Sequence, residues 1–319
     1  MNVIIDCDMK RMSFIPALAL VVMACSGAAL PGGKTDSSGE NREPEPPVVP
    51  EVPGNGEGAL IADGNDEATY QLILACGYNY ETPDNSGAHA AEPYRHIRQS
   101  FDAELQKPVF DFWLHIENDD DRGKPNITDR QRNEIKTDSK SPEYMVAQKG
   151  ETLVIKWKFK LPEGMQTTSS FSHIHQIKGI DNKEQTADVA MPLVTFTVRS
   201  LSKGGQQFQI IFNGPTGSGE GNVYLNKTGL EDFLGEWVEV EETVKFDETG
   251  TYAVKVKRIS DGKQLVDVRR DGLNLWREGA TGMRPKWGLY RNFGKNGANK
   301  YLLRDECLKF ADFCVGKLD

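Results

Sequence analysis

Thr152-Leu153-Val154-Ile155-Lys156-Trp157-Lys158-Phe159 carries the pattern that decides the fold. Leu153, Ile155, Trp157 and Phe159 fall on one parity, while Lys156 and Lys158 fall on the other. Successive side chains of an extended chain point to opposite faces, so this segment buries one face and wets the other. The same period recurs over 193–199, 207–212, 237–246, 251–259, 264–269 and 308–315, bounded each time by Gly, Pro, Asn or Asp. No long helical period competes; only 230–234 reads as a helical turn. About a dozen strands over 67–319 without crossover helices predict an all-β chain, an antiparallel double-sheet sandwich of the jelly-roll kind. Such folds commonly present one concave sheet as a groove for an extended polymer.

Upstream of that region the composition changes. Lys10 and Arg11 precede an apolar run, Met12 to Ala24, that is too short to span a bilayer, and Val22-Met23-Ala24-Cys25 ends it. This looks like a bacterial lipobox, with Cys25 as the lipidated first residue of the mature chain; an ordinary signal peptide is the alternative. Asp6 and Asp8 are wrong for an n-region, so Met9 is the expected start. Residues 26–66 hold six prolines and eight glycines and read as an extended tether. The expected layout is a leader (1–25), a tether (26–66) and one β-domain (67–319), anchored as a lipoprotein of the bacterial cell envelope.

The chain carries 38 Lys+Arg against 47 Asp+Glu, a net charge of -9. Four of those basic and ten of those acidic residues lie in 1–66, which leaves 34 against 37 for the domain. The total argues against nucleic acid. Locally the domain is different: 277–304 has seven basic residues and a single acid, Glu278. Five cysteines are too few for a disulfide scaffold.

Three polar constellations interrupt the strands. In the first, Arg130, Arg132, Glu134 and Lys136 share parity and should form one ladder of charge. The second is Phe171-Ser172-His173-Ile174-His175-Gln176, whose two histidines, two residues apart, should point the same way. No third His, spaced Cys or Asp partner accompanies that pair, so no metal is expected there. In the third, Arg284-Pro285-Lys286-Trp287-Gly288-Leu289-Tyr290-Arg291, Lys286, Gly288 and Tyr290 alternate onto one face.

Taken in order, Arg132-Asn133-Glu134-Ile135-Lys136, His173-Ile174-His175 and Lys286-Trp287-Gly288-Leu289-Tyr290 resemble the motifs of the jelly-roll (concanavalin A-like) polysaccharide lyases, the group of alginate, glucuronan and heparin lyases. In the alginate lyases the motifs read R-T-E-L-R, Q-I-H and Y-F-K-A-G-x-Y. His173 stands here in place of Gln, Lys136 in place of the second Arg, and Arg284-Pro285 in place of Tyr-Phe. The resemblance implies β-elimination on a uronic-acid polysaccharide in a cationic groove.

The chemistry such a reaction needs can be matched to side chains. H5 of a uronate is weakly acidic because the neighbouring carboxylate opposes a second negative charge, so the enzyme must neutralise that carboxylate. Arg132 offers a planar fork for it, with His173 or Gln176 as a hydrogen-bond donor. An imidazole works as a base near neutrality, which points to His175. Tyr290 can protonate the leaving oxygen, and the cations Lys286 and Arg291 favour its phenolate, so it could also act as base. Glu134 should orient Arg132 or Lys136, while Arg130, Arg284, Lys286 and Arg291 would hold flanking carboxylates or sulfates.

Two rival readings exist. A non-catalytic carbohydrate-binding protein would rely on exposed aromatics such as Trp113 or Trp276. A glycoside hydrolase would need facing carboxylates, whereas Glu239, Glu241 and Glu242 read as an ordinary amphipathic face. The expected partner is an anionic polysaccharide bound by a monomer, with membrane contact through the lipid alone. No cofactor is required. The loop Glu117-Asn118-Asp119-Asp120-Asp121 could hold a structural Ca²⁺, though a solvated loop is the plainer expectation.

Overall fold

The computed structural model describes residues 58–318 apart from 86, 125 and 219, so the leader with Cys25 and the tether up to residue 57 lie outside the described residues. Two antiparallel sheets pack face to face. The first has the strand order β13 (Gln264–Leu273), β12 (Gly250–Arg258), β11 (Trp237–Lys245), β6 (Thr152–Lys160), β15 (Glu306–Leu318), β4 (Lys107–Leu114) and β3 (Ile97–Asp102), with β1 (Gly58–Leu60) also on β15. The second runs β10 (Val223–Gly229), β9 (Gln206–Phe212), β8 (Val194–Ser200), β7 (Ser172–Ile180), β14 (Gly282–Asn292), β5 (Arg130–Lys136) and β2 (Asn79–Glu81). This is the expected jelly-roll sandwich. The domain starts earlier than composition suggested, because Gly58–Leu60 pairs with 313–315 inside the stretch assigned to the tether. A short helix, α1 (Thr69–Ala75), went unpredicted. Among the described residues no helix is long and apolar enough to cross a membrane.

The period-2 segments do what their pattern dictates. Leu153, Ile155, Trp157 and Phe159 of β6 are buried and meet Phe196 and Phe208 from the opposite sheet, with Trp157–Phe196 centroids 5.6 Å apart. Burying each such side chain stabilises the fold by about 1.5–3 kcal/mol, which pins the register of both sheets.

The three polar constellations lie on β5, β14 and β7, which are adjacent in the second sheet with β14 in the middle. Register sets Tyr290 opposite Arg132 on one side and His173 on the other; Lys286 faces Lys136 and Gln176 in the same way. Directly opposite residues on one face have Cβ atoms about 5 Å apart, so motifs far apart in sequence become one surface.

β7 departs from simple alternation. Its pairing with β8 slips between His173 and His175, and its pairing with β14 slips between Trp287 and Tyr290. Against β8, Ile174 is the extra residue of a β-bulge, whereas against β14 it stands alone opposite Gly288 and Leu289. Ile174 and His175 both turn into the core, while His173 and Gln176 face outward.

Candidate active site

The outer face of the second sheet is a dense network of charge. Glu134 on β5 is buried and receives Arg132 Nη1 at 2.7 Å, Lys286 Nζ at 2.6 Å and the Gln176 amide. Glu81, at the end of the edge strand β2, accepts from Lys286 (2.7 Å), Lys136 (2.9 Å) and Arg122 (3.0 Å). Asp121 accepts from Arg132 Nε and Arg122 Nε, both at 2.8 Å. Burial alone would push the Glu134 and Glu81 carboxyls up; Lys286 and Arg132 hold both well below the usual carboxylate range instead. Lys286 is pushed down to about 8 by burial, with Arg132 and Arg284 adding to the effect against Glu134 and Glu81. The cations Arg122, Arg130, Arg132, Lys136, Lys178, Arg284 and Lys286 outnumber the carboxylates Glu81, Asp121, Asp129, Glu134 and Asp138, so the face keeps a positive surplus.

Tyr290 sits at the centre. The Arg132 guanidinium lies 3.6 Å from its ring centroid, a close cation–π contact. Arg130 Nη1 donates to the Tyr290 hydroxyl at 2.8 Å, while its other nitrogens grip Asp129 at 2.7 Å. The His173 ring is 6.0 Å from that of Tyr290 and stacks on Phe171 at 4.4 Å. His173 Nδ1 is 2.7 Å from Thr197 Oγ1, whose own proton goes to Thr195. That chain assigns the proton to Nδ1 and leaves the Nε2 lone pair to the site. Burial pushes His173 down to about 3, helped by Arg199, Arg132 and Lys286 against the pull of Glu134, so the ring is neutral at pH 7.

Gly288 explains the glycine between Lys286 and Tyr290. Its φ is +140°, and a Cβ there would lie 2.1 Å from Asn133 O and 2.7 Å from Glu134 Cα. Only glycine lets β14 approach β5 closely enough to seat Glu134 between Arg132 and Lys286.

Clefts flank the cluster at both ends. One of about 510 Å³ is lined by Arg284, Lys178 and Asp138; another of about 370 Å³ is lined by Arg130, Asp129 and Lys295. Burial lowers Lys178 to about 8. Arg284 and Tyr290 lie six positions apart on β14, a floor of about 20 Å at the usual rise per residue.

Several sequence expectations need correction. His175 does not reach this face: it is fully buried among Trp157, Phe196 and Trp287, with Nε2 2.8 Å from Glu242 Oε2. The bulge at Ile174 reverses its parity relative to His173. Arg291 also turns away, as its odd position next to Tyr290 dictates; it donates to Gln131 Oε1 (3.0 Å) and Arg304 O (2.9 Å). Lys136 is oriented by Glu81, not by Glu134. Glu242 is no part of an amphipathic surface but a buried acceptor for Tyr252 and neighbour of His175. Trp113 and Trp276 are half-buried, the former stacked on His115 and the latter against the core, so neither is an open aromatic platform.

Glu81, Asp121, Arg122 and Thr197 were missed. Glu81 and Asp121 reach the site from a three-residue edge strand and a loop, neither of which leaves a periodic signal. Phe171 could have been found, since it shares parity with His173 and precedes the bulge.

A family model described as polysaccharide lyase matches residues 108–306. Among solved structures, an alginate lyase of polysaccharide lyase family 14 from Aplysia kurodai superposes with a TM-score of 0.52 at 9% identity, covering 81% of this chain and 97% of that one. A double-cysteine variant of alginate lyase A1-II' gives 0.50 at 16% identity, covering 81% and 100%. An endo-beta-1,4-glucuronan lyase from the fungus Trichoderma reesei gives 0.44 at 14%, covering 75% and 94%. No curated protein matches the chain. The strand order, the three motifs on adjacent strands and the family model converge on one conclusion: the chain belongs to the polysaccharide lyase family.

Proposed function

We propose that the protein cleaves a uronic-acid-containing polysaccharide by β-elimination on the outer face of the second sheet, with His173 and Tyr290 transferring the protons. The observation that carries this reading is the convergence of Arg132, Tyr290 and His173 on one face, with the guanidinium 3.6 Å from the phenol ring centroid and the imidazole ring 6.0 Å from it. Arg132 neutralises the uronate carboxylate, with Gln176 as a hydrogen-bond donor to it, which makes H5 acidic enough to leave. His173 Nε2 takes H5, and the incoming carboxylate raises the basicity of that nitrogen. The electron pair left on C5 forms the C4–C5 double bond, the glycosidic C4–O bond breaks, and the Tyr290 hydroxyl protonates the departing oxygen. Arg130 holds the phenolate that results. No cofactor enters these steps. Lys178 and Arg284 hold neighbouring acidic sugars in the direction of the larger cleft, with buried Lys286 adding its charge from beneath. The family model and the printed names of the two alginate lyases that superpose at 0.50 or above agree with a uronate substrate. The leader with its Cys25 lipobox would tether the enzyme to a bacterial envelope, where it would work as a monomer.

The test is a panel of alginate, glucuronan and heparin-like polymers, read by the ultraviolet absorbance of the unsaturated product. Tyr290→Phe and His173→Asn should each lose at least about 100-fold in kcat, the range of acid–base contributions. Full activity in Tyr290→Phe sinks the assignment, and binding of a uronate polymer without cleavage by the wild type sinks the enzyme reading.

A further inference from the structure

Behind β5, on the side away from Tyr290, three of the chain's five histidines meet an aspartate. His89, His96, His115 and Asp119 each offer one donor atom, and these atoms all lie within 4.8 Å of one another. His89 Nε2 is 2.9 Å and His96 Nε2 3.0 Å from Asp119 Oδ1; His115 Nδ1 is 3.4 Å from Asp119 Oδ2. His96 and Asp119 are buried, and the buried His115 Nδ1 has no hydrogen-bond partner among the described residues.

The surroundings hold these groups in place. His96 Nδ1 is 2.9 Å from Asp84 Oδ1, and Asp84 in turn accepts from the Tyr70 hydroxyl. This carboxylate–histidine arrangement aims Nε2 at the cluster, as outer-shell carboxylates do for metal-bound imidazoles. Trp113 stacks flat on His115 at 6.1 Å, and the Tyr94 ring packs edge-on against both His96 and His115. From β5, Gln131 Nε2 donates to the carbonyls of His115, Ile116 and Asp119, while Asn133 Nδ2 donates to those of His96 and Trp113. The even residues of β5 thus build the proposed active site, while Gln131 and Asn133 on its other face build this cradle.

We propose that His89, His96, His115 and Asp119 form a closed four-ligand site for Zn²⁺. Three imidazoles and one carboxylate suit zinc, whereas Ca²⁺ and Mg²⁺ take oxygen donors. Zinc–ligand bonds of about 2.0–2.1 Å put tetrahedral donors about 3.3 Å apart; the three imidazole contacts to Asp119, at 2.9, 3.0 and 3.4 Å, are near that spacing, and the four donors, all within 4.8 Å of one another, need only draw in around an ion. With all four positions filled by protein, the ion is structural. It also has a route to the other face: Asp120 O accepts Arg132 N at 3.1 Å, and Asp121 accepts Arg132 Nε at 2.8 Å. Zinc at Asp119 therefore fixes the loop that positions Arg132.

The competing occupant is a proton. Asp119 and Asp84 push His96 up to about 9 against the opposing effect of burial, so an imidazolium alone can hold the two carboxylates. The experiment separates the two occupants. Full-length protein without a polyhistidine tag is stripped with a chelator and titrated with Zn²⁺ by calorimetry, and metal content is measured after purification. One zinc per chain is expected, with Co²⁺ substitution giving the visible absorption of a tetrahedral site. His115→Ala, at the most exposed of the three imidazoles, and His89→Ala should weaken zinc at least tenfold, and Asp84→Asn by about 10–100-fold. Substoichiometric zinc in the wild type, or affinity unchanged in His89→Ala and His115→Ala, overturns the site in favour of the proton. His115→Ala keeps the test informative if the more deeply buried variants fail to fold.

Discussion

Replacing His175 by Ala separates the motif resemblance from the geometry. His175 and Glu242 are both fully buried, 2.8 Å apart, and link β7 of one sheet to β11 of the other; Tyr252 donates to the second Glu242 oxygen. Removing the imidazole strands the Glu242 carboxylate in the core with one hydroxyl for company. Breaking a buried pair in this way costs about 3–5 kcal/mol. For a domain of this size, 1 kcal/mol moves Tm by about 2–4 °C, so thermal denaturation should show a loss of about 6–20 °C. Catalysis should respond differently, because His175 faces Trp157 and Trp287 and not Tyr290. Below the lowered Tm, kcat/KM should stay within about threefold of wild type, under 1 kcal/mol of transition-state stabilisation. A triple change, His175→Leu with Glu242→Leu and Tyr252→Phe, replaces the whole polar trio by apolar groups and should recover most of the stability. An unchanged Tm together with a loss of activity by orders of magnitude would overturn this account, since it would mean that His175 reaches the substrate face after all.

Two further expectations concern the outer face. Gly288→Ala places a Cβ 2.1 Å from Asn133 O and should cost about 2–4 kcal/mol from backbone strain and overpacking; kcat should fall with it as Glu134 and Tyr290 lose registry, and wild-type kcat and Tm in this variant would show that β14 and β5 can part without consequence. Lys286, held near 8 against 10.5 when unfolded, gives opposite signs for stability and activity: between about pH 8 and 10.5 the unfolded chain binds the extra proton, so stability rises with pH by up to about 3 kcal/mol, with Lys178 titrating over the same window. Loss of the Lys286 charge frees Glu134 and weakens the hold on an acidic polymer, so kcat/KM should fall above about pH 8; the same alkaline limb in Lys286→Met would remove Lys286 as its cause.

Much of the site was legible because β5 and β14 keep their alternation where the charged ladder lies. Arg130, Arg132, Glu134 and Lys136 share a face as their spacing requires, and Tyr290 and Lys286 face them across one strand-to-strand step. Arg291 was legible too: the parity that places Tyr290 outward turns Arg291 inward. His175 was not legible, because a single extra residue at Ile174 reverses every assignment beyond it, and nothing in Ser-His-Ile-His-Gln marks a bulge. The bulge follows from the pairing of β7 with two neighbours at once.

The histidine cluster shows the same limit in another form. His89, His96, His115 and Asp119 have no regular spacing; the turn before β3 and the β3–β4 hairpin, with Ile97 opposite Phe112, bring them together. Alternation, turn residues and charge partition are properties of a few neighbouring residues. They suffice to specify an all-β sandwich, the strands that build it and the family motifs on three of them. Which strands became neighbours, where register slipped, and which of two adjacent histidines faced the substrate side depend on pairing between segments tens to hundreds of residues apart. Such pairings are settled by burial of a shared core, which no local pattern encodes, and they emerge only when both sheets are in place.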